Sequence, residues 1–376
     1  MCSSFEDYNL KKNLLRGIYS YGFDKPSKIQ SKAIPEMIQK KELIAQSHSG
    51  TGKTGAFTIG TLQLIDDTVK KCQAIILTPT HELAKQVIEV INHLAKYMTI
   101  KTALCVGKTS IEDNIIELKE AHIAIGTPGR MTDMINRGYI NKNHIKLLVL
   151  DEADEMLSGD FRNQIKTIVA TLNKTIQICL FSATITDTTL KISTAFLQDP
   201  VKILLEKDKL TLDEISQFYI EIDHEKNKLE TLKEIYNIIN IGQAIVYANS
   251  QKRVHELYEA LSNDDNTCGM IYSGMQSDER SDILRDFRTG KIRVLISTDL
   301  LSRGIDIQKL SVVINYELPY NDNECYIHRI GRSGRYGKRG VAINLITRRE
   351  YSRVKELEKY YRTTIAEMPE DINSFL

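Results

Sequence analysis

Tryptophan is absent from this chain, and cysteine occurs only six times in 376 residues. The cysteines, at positions 2, 72, 105, 179, 268 and 325, form no C-x-x-C pair, and several fall inside apolar runs such as Ile178-Cys179-Leu180. This excludes a disulfide frame and the usual zinc spacings. The thiols read as small buried hydrophobes in a reducing compartment. No apolar run approaches the ~20 residues of a membrane span, and the N-terminus has no signal-peptide pattern, so a soluble intracellular protein is expected. An excess of one charge is missing too: 50 Lys and Arg against 49 Asp and Glu leave a formal charge of +1. With no polycationic character and no polybasic tail, any nucleic-acid site must be a local basic surface.

What is present is ordinary globular composition, 42% hydrophobic and 26% charged, over a length that suits two domains. Short apolar runs alternate with amphipathic stretches: Leu43-Ile44-Ala45, Ala74 to Leu77, His122 to Ile125, Leu147 to Leu150 and Ile176 to Phe181. Near-continuous apolar strands between helices imply an α/β fold with a parallel sheet covered on both faces. The pattern restarts after Glu206-Lys207-Asp208-Lys209, with runs at Ala244 to Tyr247, Val294 to Ile296 and Val312 to Ile314. Domains at 1–205 and 214–376, joined by a linker at 206–213, are therefore expected. No clear self-similarity between the halves is visible.

Three motifs carry chemistry. Ser47-His48-Ser49-Gly50-Thr51-Gly52-Lys53-Thr54 follows an apolar strand and precedes a helical stretch, the setting of a phosphate-binding loop. Gly50 and Gly52 let backbone N–H groups turn toward phosphate oxygens, Lys53 would reach the β/γ-phosphates, and the Thr54 hydroxyl would bind Mg²⁺. The strict pattern wants Gly where Ser47 stands. The bland alternative is a Gly-rich strand–helix turn. Second, Asp151-Glu152-Ala153-Asp154 closes an apolar run, which puts Asp151 at the carboxyl end of a strand, where open α/β sheets bind ligands. Asp151 is the expected Mg²⁺ partner, through water, and Glu152 the group that orients or deprotonates the attacking water. The alternative is a solvated helix start rich in acids. Third, His328-Arg329-Ile330-Gly331-Arg332-Ser333-Gly334-Arg335 can supply guanidinium forks to phosphates, a contribution of about 10³–10⁵ in rate. Here Gly331 and Gly334 allow closer approach than a merely solvated basic run needs. For His328 the choice lies between a structural histidine and a member of an interdomain hydrogen-bond network.

In this order and spacing, over nearly the whole length, the chain resembles the DEAD-box RNA helicases. It is similar to their branch of translation initiation factor 4A and its nuclear paralogues at Leu14 to Tyr19, Asp151 to Leu157, Leu210-Thr211-Leu212 and Glu367-Met368-Pro369. The resemblance implies two tandem RecA-like domains, ATP with Mg²⁺ as ligands, and RNA-stimulated ATP hydrolysis coupled to local unwinding. It implies an adenine-recognition segment that includes Lys25, in which Phe5 stacks on the ring and Gln30 bonds its edge, a phosphate loop including Ser47, Ser49 and Thr51, and a ribose contact from Asp306. Ser182 and Thr184 would couple hydrolysis to domain closure through Asp154, with His328, Arg332 and Arg335 completing the site. RNA contacts are implied at Pro79, Thr80, Gly107, Thr127, Gly129, Arg130 and Thr298. Loop Gly, Thr and Arg suit the sugar–phosphate backbone, so little sequence specificity is expected.

Three departures from the family pattern bear on RNA: His81 stands for an arginine, Lys108 for the second glycine of a doublet, and Ser277 for a glutamine. A monomer is expected, with scaffold or regulatory proteins governing closure and no membrane partner. The implied settings are translation initiation or nuclear RNA processing and ribosome biogenesis, in the cytoplasm or the nucleus and nucleolus. The rival reading is an ATP-gated RNA clamp that holds an assembly and turns over slowly. A DNA helicase is disfavoured by Gln30 together with the Asp151–Asp154 segment.

Overall fold

A computed structural model describes residues 4–48, 50–107, 109–159, 161–204, 215–238, 242–262, 267–299, 310–320, 322–333 and 340–375. The expected linker at 206–213, and Ser49, Lys108, Asp306 and Arg335, lie outside these residues, as does the side chain of Ser277. The chain divides into two compact units, Met1–Leu205 and Glu206–Leu376.

The first unit holds seven strands: β1 Leu43–Gln46, β2 Ala74–Leu77, β3 Thr102–Cys105, β4 Ile123–Gly126, β5 Leu147–Asp151, β6 Gln177–Ser182 and β7 Val201–Ile203. They form one sheet in the order β3-β4-β2-β5-β6-β1-β7, every pair parallel. The apolar runs do not alternate because both faces are covered. Leu43, Ala45, Ile76, Val149 and Phe181 point to one core, where helices Lys12–Tyr21, Lys28–Ile38, Lys53–Leu64 and His81–Leu94 pack. Ile44, Ile75, Leu148, Leu150 and Leu180 point to the other, against Pro128–Asn136 and Phe161–Thr171. Each fully buried Leu or Ile stabilises by roughly 1.5–3 kcal/mol. Because all strands run the same way, the carboxyl ends of β1 to β7 share one edge of the sheet.

The second unit repeats this plan with β8 Ile215–Ile222, β9 Ala244–Tyr247, β10 Cys268–Ile271, β11 Val294–Ser297, β12 Val312–Asn315, β13 Gly340–Thr347 and β14 Ala366–Glu367. Their order is β10-β11-β9-β12-β13-β8-β14, again all parallel. Counted from its own first strand, that is the strand order of the first unit. The two halves share a topology that the sequence does not display. They part at the loop after the first strand. In the second unit the helix Lys228–Ile238 also opens on a lysine, but Lys228 is fully buried and paired with Glu350 at 2.8 Å and Glu225 at 3.2 Å. Among the described residues no helix is long and apolar enough to cross a membrane.

Candidate functional site

The phosphate loop leaves β1 at Gln46, and its entry is fixed to β6: Ser47 N–H donates to the Ser182 carbonyl at 3.1 Å, and Gln46 Nε2 donates to the Ala183 carbonyl at 3.3 Å. Thr51 Oγ1 donates to His48 O at 2.7 Å, so the Ser47 hydroxyl is the donor in its 2.6 Å contact with Thr51 Oγ1. Lys53 Nζ donates to the Ser47 and His48 carbonyls at 2.7 and 3.2 Å, which folds the loop around the ammonium. Gly50 and Gly52 have φ of +75° and +100°, the left-handed region that favours glycine. Gly52 is also the N-cap of the helix Lys53–Leu64, which has no side-chain cap. Its first N–H groups and the positive end of its dipole face the loop, an arrangement suited to an anion.

Gln30 reaches this loop from the helix Lys28–Ile38. Ser27 and Gln30 form a capping box: Ser27 N–H donates to Gln30 Oε1 at 2.9 Å, and Gln30 N–H to Ser27 Oγ at 3.4 Å. Gln30 Nε2 then donates to Gly52 O at 3.3 Å. An amide has two donors and two acceptor lone pairs, so one of each remains for an adenine edge. A Cβ on Gly55 would stand 2.8 Å from Gln30 Nε2 and 2.9 Å from Phe23 Cε2, so Phe23 packs directly on the helix behind the loop. Phe23 is partly exposed. Phe5, expected to stack on adenine, is instead 0% exposed. Its short helix Phe5–Tyr8, capped by Ser4, turns the ring into the core against Tyr8 and Tyr19, leaving no face for a ligand. The aromatic side chain beside Gln30 is Phe23. Lys25 is exposed.

Asp151 ends β5 and is 3% exposed. Burial, reinforced by the neighbouring Glu152 carboxylate and opposed by Lys53, pushes its carboxyl up to about 7. Glu152 sits at φ +52°, a left-handed conformation that strains a non-glycine residue, and its N–H donates to Asp151 Oδ1 at 3.1 Å. Glu152 Oε2 is buried without a hydrogen-bond partner among the described residues. Asp154 accepts from Ser182 Oγ at 2.6 Å and from Thr184 Oγ1, and Thr184 N–H donates to Ser182 Oγ at 3.3 Å. The structure thus joins Asp154, Ser182 and Thr184 into one buried cluster across β5 and β6. Two closely spaced buried carboxylates, one with an oxygen left unbonded, fit a hard divalent cation.

The remaining strand ends of this edge carry the loops expected to meet RNA. Thr80 follows β2 and caps the helix His81–Leu94 through Leu83 N–H at 3.3 Å, with Pro79 before it. Gly107 follows β3, and a Cβ there would lie 3.6 Å from His81 Nε2, so the imidazole spans the gap between the two loops. Thr127 follows β4, with Gly129 and Arg130 in the first turn of Pro128–Asn136. Arg130 donates to Thr109 O at 3.0 Å and to Asn114 Oδ1, which fixes its direction while part of its fork stays unused. Since β3, β4 and β2 are neighbours, these loops adjoin one another, beside the β5-β6-β1 ends that carry the phosphate loop and acidic segment.

In the second unit Thr298 follows β11 and its N–H donates to Ile271 O at 3.3 Å. His328 lies in the helix Asn323–Ile330, with Arg332 just beyond it. The residue between them organises the unit. Arg329 is fully buried, donating through Nε to Asp299, through Nη1 to Glu317 O at 2.7 Å and through Nη2 to Asn249 Oδ1 at 2.7 Å, over the Tyr247 ring at 5.2 Å. It locks the helix to the loops after β9, β11 and β12.

Comparison with known proteins agrees with this architecture. The DEAD/DEAH box helicase family matches residues 27–192, and the helicase conserved C-terminal domain matches residues 227–337. The chain is 48% identical over 372 residues to ATP-dependent RNA helicase eIF4A of Saccharomyces cerevisiae (strain YJM789), covering 99% of this chain and 94% of that protein. It is 47% identical over 375 residues to ATP-dependent RNA helicase FAL1 of Scheffersomyces stipitis, covering 100% and 94%. Among solved structures it is similar to S. cerevisiae Dbp5 bound to RNA and ADP BeF3, with a TM-score of 0.92, 35% identity and coverage of 98% and 96%.

Proposed function

The chain belongs to the DEAD-box family of ATP-dependent RNA helicases, and from that premise we propose how its own residues run the ATPase cycle. The observation that carries the proposal is the buried Asp151–Glu152 pair beside the Lys53 loop, with Asp154 tied to Ser182 and Thr184. ATP enters with adenine against Phe23 and on the free donor and acceptor of Gln30. Its phosphates replace the Ser47 and His48 carbonyls as partners of Lys53, exchanging neutral hydrogen bonds for charge-assisted ones. Thr54 and Asp151 would hold Mg²⁺, which neutralises charge on the β/γ-phosphates when bound. Glu152 orients a water toward the γ-phosphorus and takes its proton; the new P–O bond forms as the bond to ADP breaks. Arg332, with Arg335, is assigned the stabilisation of phosphate charge during turnover, and Asp306 the ribose. The Asp154 cluster links the acidic strand end to the end of β6, so loss of phosphate on one side alters hydrogen bonding on the other.

RNA is assigned to the ends of β2, β3 and β4, with Thr298 from the second unit, through sugar–phosphate contacts. The Dbp5 relative, solved with RNA, supports RNA as the ligand. In steady-state ATP hydrolysis by the full chain, single-stranded RNA should stimulate turnover strongly and DNA of the same sequence should not. Equal stimulation by DNA would overturn the RNA assignment, and slow turnover with long-lived RNA complexes would favour the clamp.

Two substitutions probe particular residues. Phe23→Leu should raise KM for ATP several-fold with little change in melting temperature, whereas Phe5→Leu should lower the melting temperature and leave KM unchanged. The reverse pattern would return the stacking role to Phe5. His81→Arg should tighten RNA binding several-fold at low salt and steepen the salt dependence by about one phosphate contact. An unaltered salt slope, measured by fluorescence anisotropy, would place His81 away from the RNA.

A further inference from the structure

The second unit contains a concavity of about 330 Å³ between the loop after β12 and the start of the helix Tyr351–Tyr361. It is lined by Leu318, Pro319 and Tyr320 on one side and by Arg349, Arg353 and Glu356 on the other. Nothing in the ATPase cycle uses it.

Its polar groups are unbalanced. The nitrogens Nε, Nη1 and Nη2 of Arg353 are all buried, and none has a hydrogen-bond acceptor among the described residues. Glu356 Oε2 comes within 2.9 Å of Nη1, an ion pair without hydrogen-bond alignment, from a side chain that is 58% exposed. A buried guanidinium with five donors and one poorly aligned carboxylate is costly to keep. Glu350, which also lines the concavity, accepts through Oε2 from Lys228 Nζ and from the N–H and hydroxyl of Thr347, and makes no ion pair with Arg353 among the described residues. Arg349 is exposed and pairs with no carboxylate among the described residues. Across the concavity Tyr320 is 78% exposed, beside Pro319.

We propose that this concavity is a docking site for a protein partner, receiving a segment with one carboxylate next to an apolar side chain. The carboxylate pairs with Arg349 and, by displacing the exposed Glu356 carboxylate, with Arg353, and the apolar side chain packs on Pro319 and Tyr320. The mixed rim selects this occupant. Glu356 beside the arginines repels a polyphosphate chain but tolerates a single carboxylate, and a free anion would leave Tyr320 bare. The site lies wholly within one unit and does not depend on the ATPase assignments.

The test uses the full chain with isotope-labelled arginine and a capped pentapeptide, Ala-Phe-Asp-Leu-Ala, against the same peptide with Asn for Asp. Titration to millimolar concentration should move the Arg349 and Arg353 Nε–Hε NMR signals saturably with the Asp peptide and at least about tenfold more weakly with the Asn peptide, a difference of about 1.4 kcal/mol. Arg349→Glu and Tyr320→Ala, both at exposed positions that keep the fold and the basal ATPase, should each weaken binding by a similar factor. No saturable shift, equal response to both peptides, or tighter binding of inorganic phosphate or a single-stranded RNA oligonucleotide would overturn the proposal.

Discussion

Replacing Glu152 by Gln should lower RNA-stimulated ATP turnover by about 10²- to 10⁴-fold while ATP and RNA still bind, the range of a lost general base. The substitution keeps the shape of the side chain and removes its capacity to take a proton. Binding should survive because the phosphate-loop contacts come from Lys53, the glycines and the uncapped helix, none of which needs the Glu152 charge. The left-handed backbone at Glu152 should survive too, since Gln fits that conformation no worse. The measurement is phosphate release at saturating RNA alongside the ATP dissociation constant. A fall in kcat with unchanged binding carries the assignment. Undiminished turnover would move proton transfer to another group, and lost ATP binding would make Glu152 a structural residue.

Asp151→Asn should stabilise the nucleotide-free protein at pH 8 while abolishing turnover. Asp151 titrates at about 7 in the folded chain, against 3.8 ordinarily, chiefly because it is buried. Below about pH 4 the carboxyl is protonated in both folded and unfolded states and costs nothing. Between pH 4 and 7 the folded state holds a proton that the unfolded state has lost, so the group's contribution to stability falls as pH rises. Above 7 both states are ionised and the folded state carries the full burden, at most about 4 kcal/mol. The advantage of Asp151→Asn should therefore grow from nothing near pH 4 to its maximum above pH 7, as read by thermal melts across that window. A constant difference at all pH values would show that the carboxyl is not held up by its surroundings. The instability is localised where the proposed catalysis needs negative charge, so stability is given up at the site itself.

The phosphate loop and acidic segment were legible because each is a short contiguous pattern at the end of an apolar run, and the runs at β1, β2, β4, β5 and β6 all form strands. Edge strands carry a weaker signal. β3 and β10 alternate buried and half-buried residues, and β7 has only three residues. The long central strand β13 carries Asn344 in its middle, a polar residue acceptable there only because it bonds Asn315, Tyr326 and the Phe218 carbonyl. The Ser27–Gln30 capping box is readable as S-x-x-Q, and the structure gives Gln30 this capping role beside the phosphate loop. Phe5 and Phe23 could not be separated by sequence, because each is an aromatic ahead of the loop and only packing decides which ring is covered. Arg329 as a hub was out of reach, since its partners follow three different strands.

The strand order has a consequence in time. The phosphate loop leaves β1 near residue 47 and the acidic segment leaves β5 near residue 151, yet these strands do not touch; β6, at Gln177–Ser182, lies between them. A chain emerging from the ribosome has both motifs well before it has the strand that sets them side by side. Loop closure over more than a hundred residues must precede any competent site. Until β6 inserts, Ser47 lacks its carbonyl and Asp154 lacks both hydroxyls. A chain that stops short of β6 therefore has both motifs without the strand that lies between them.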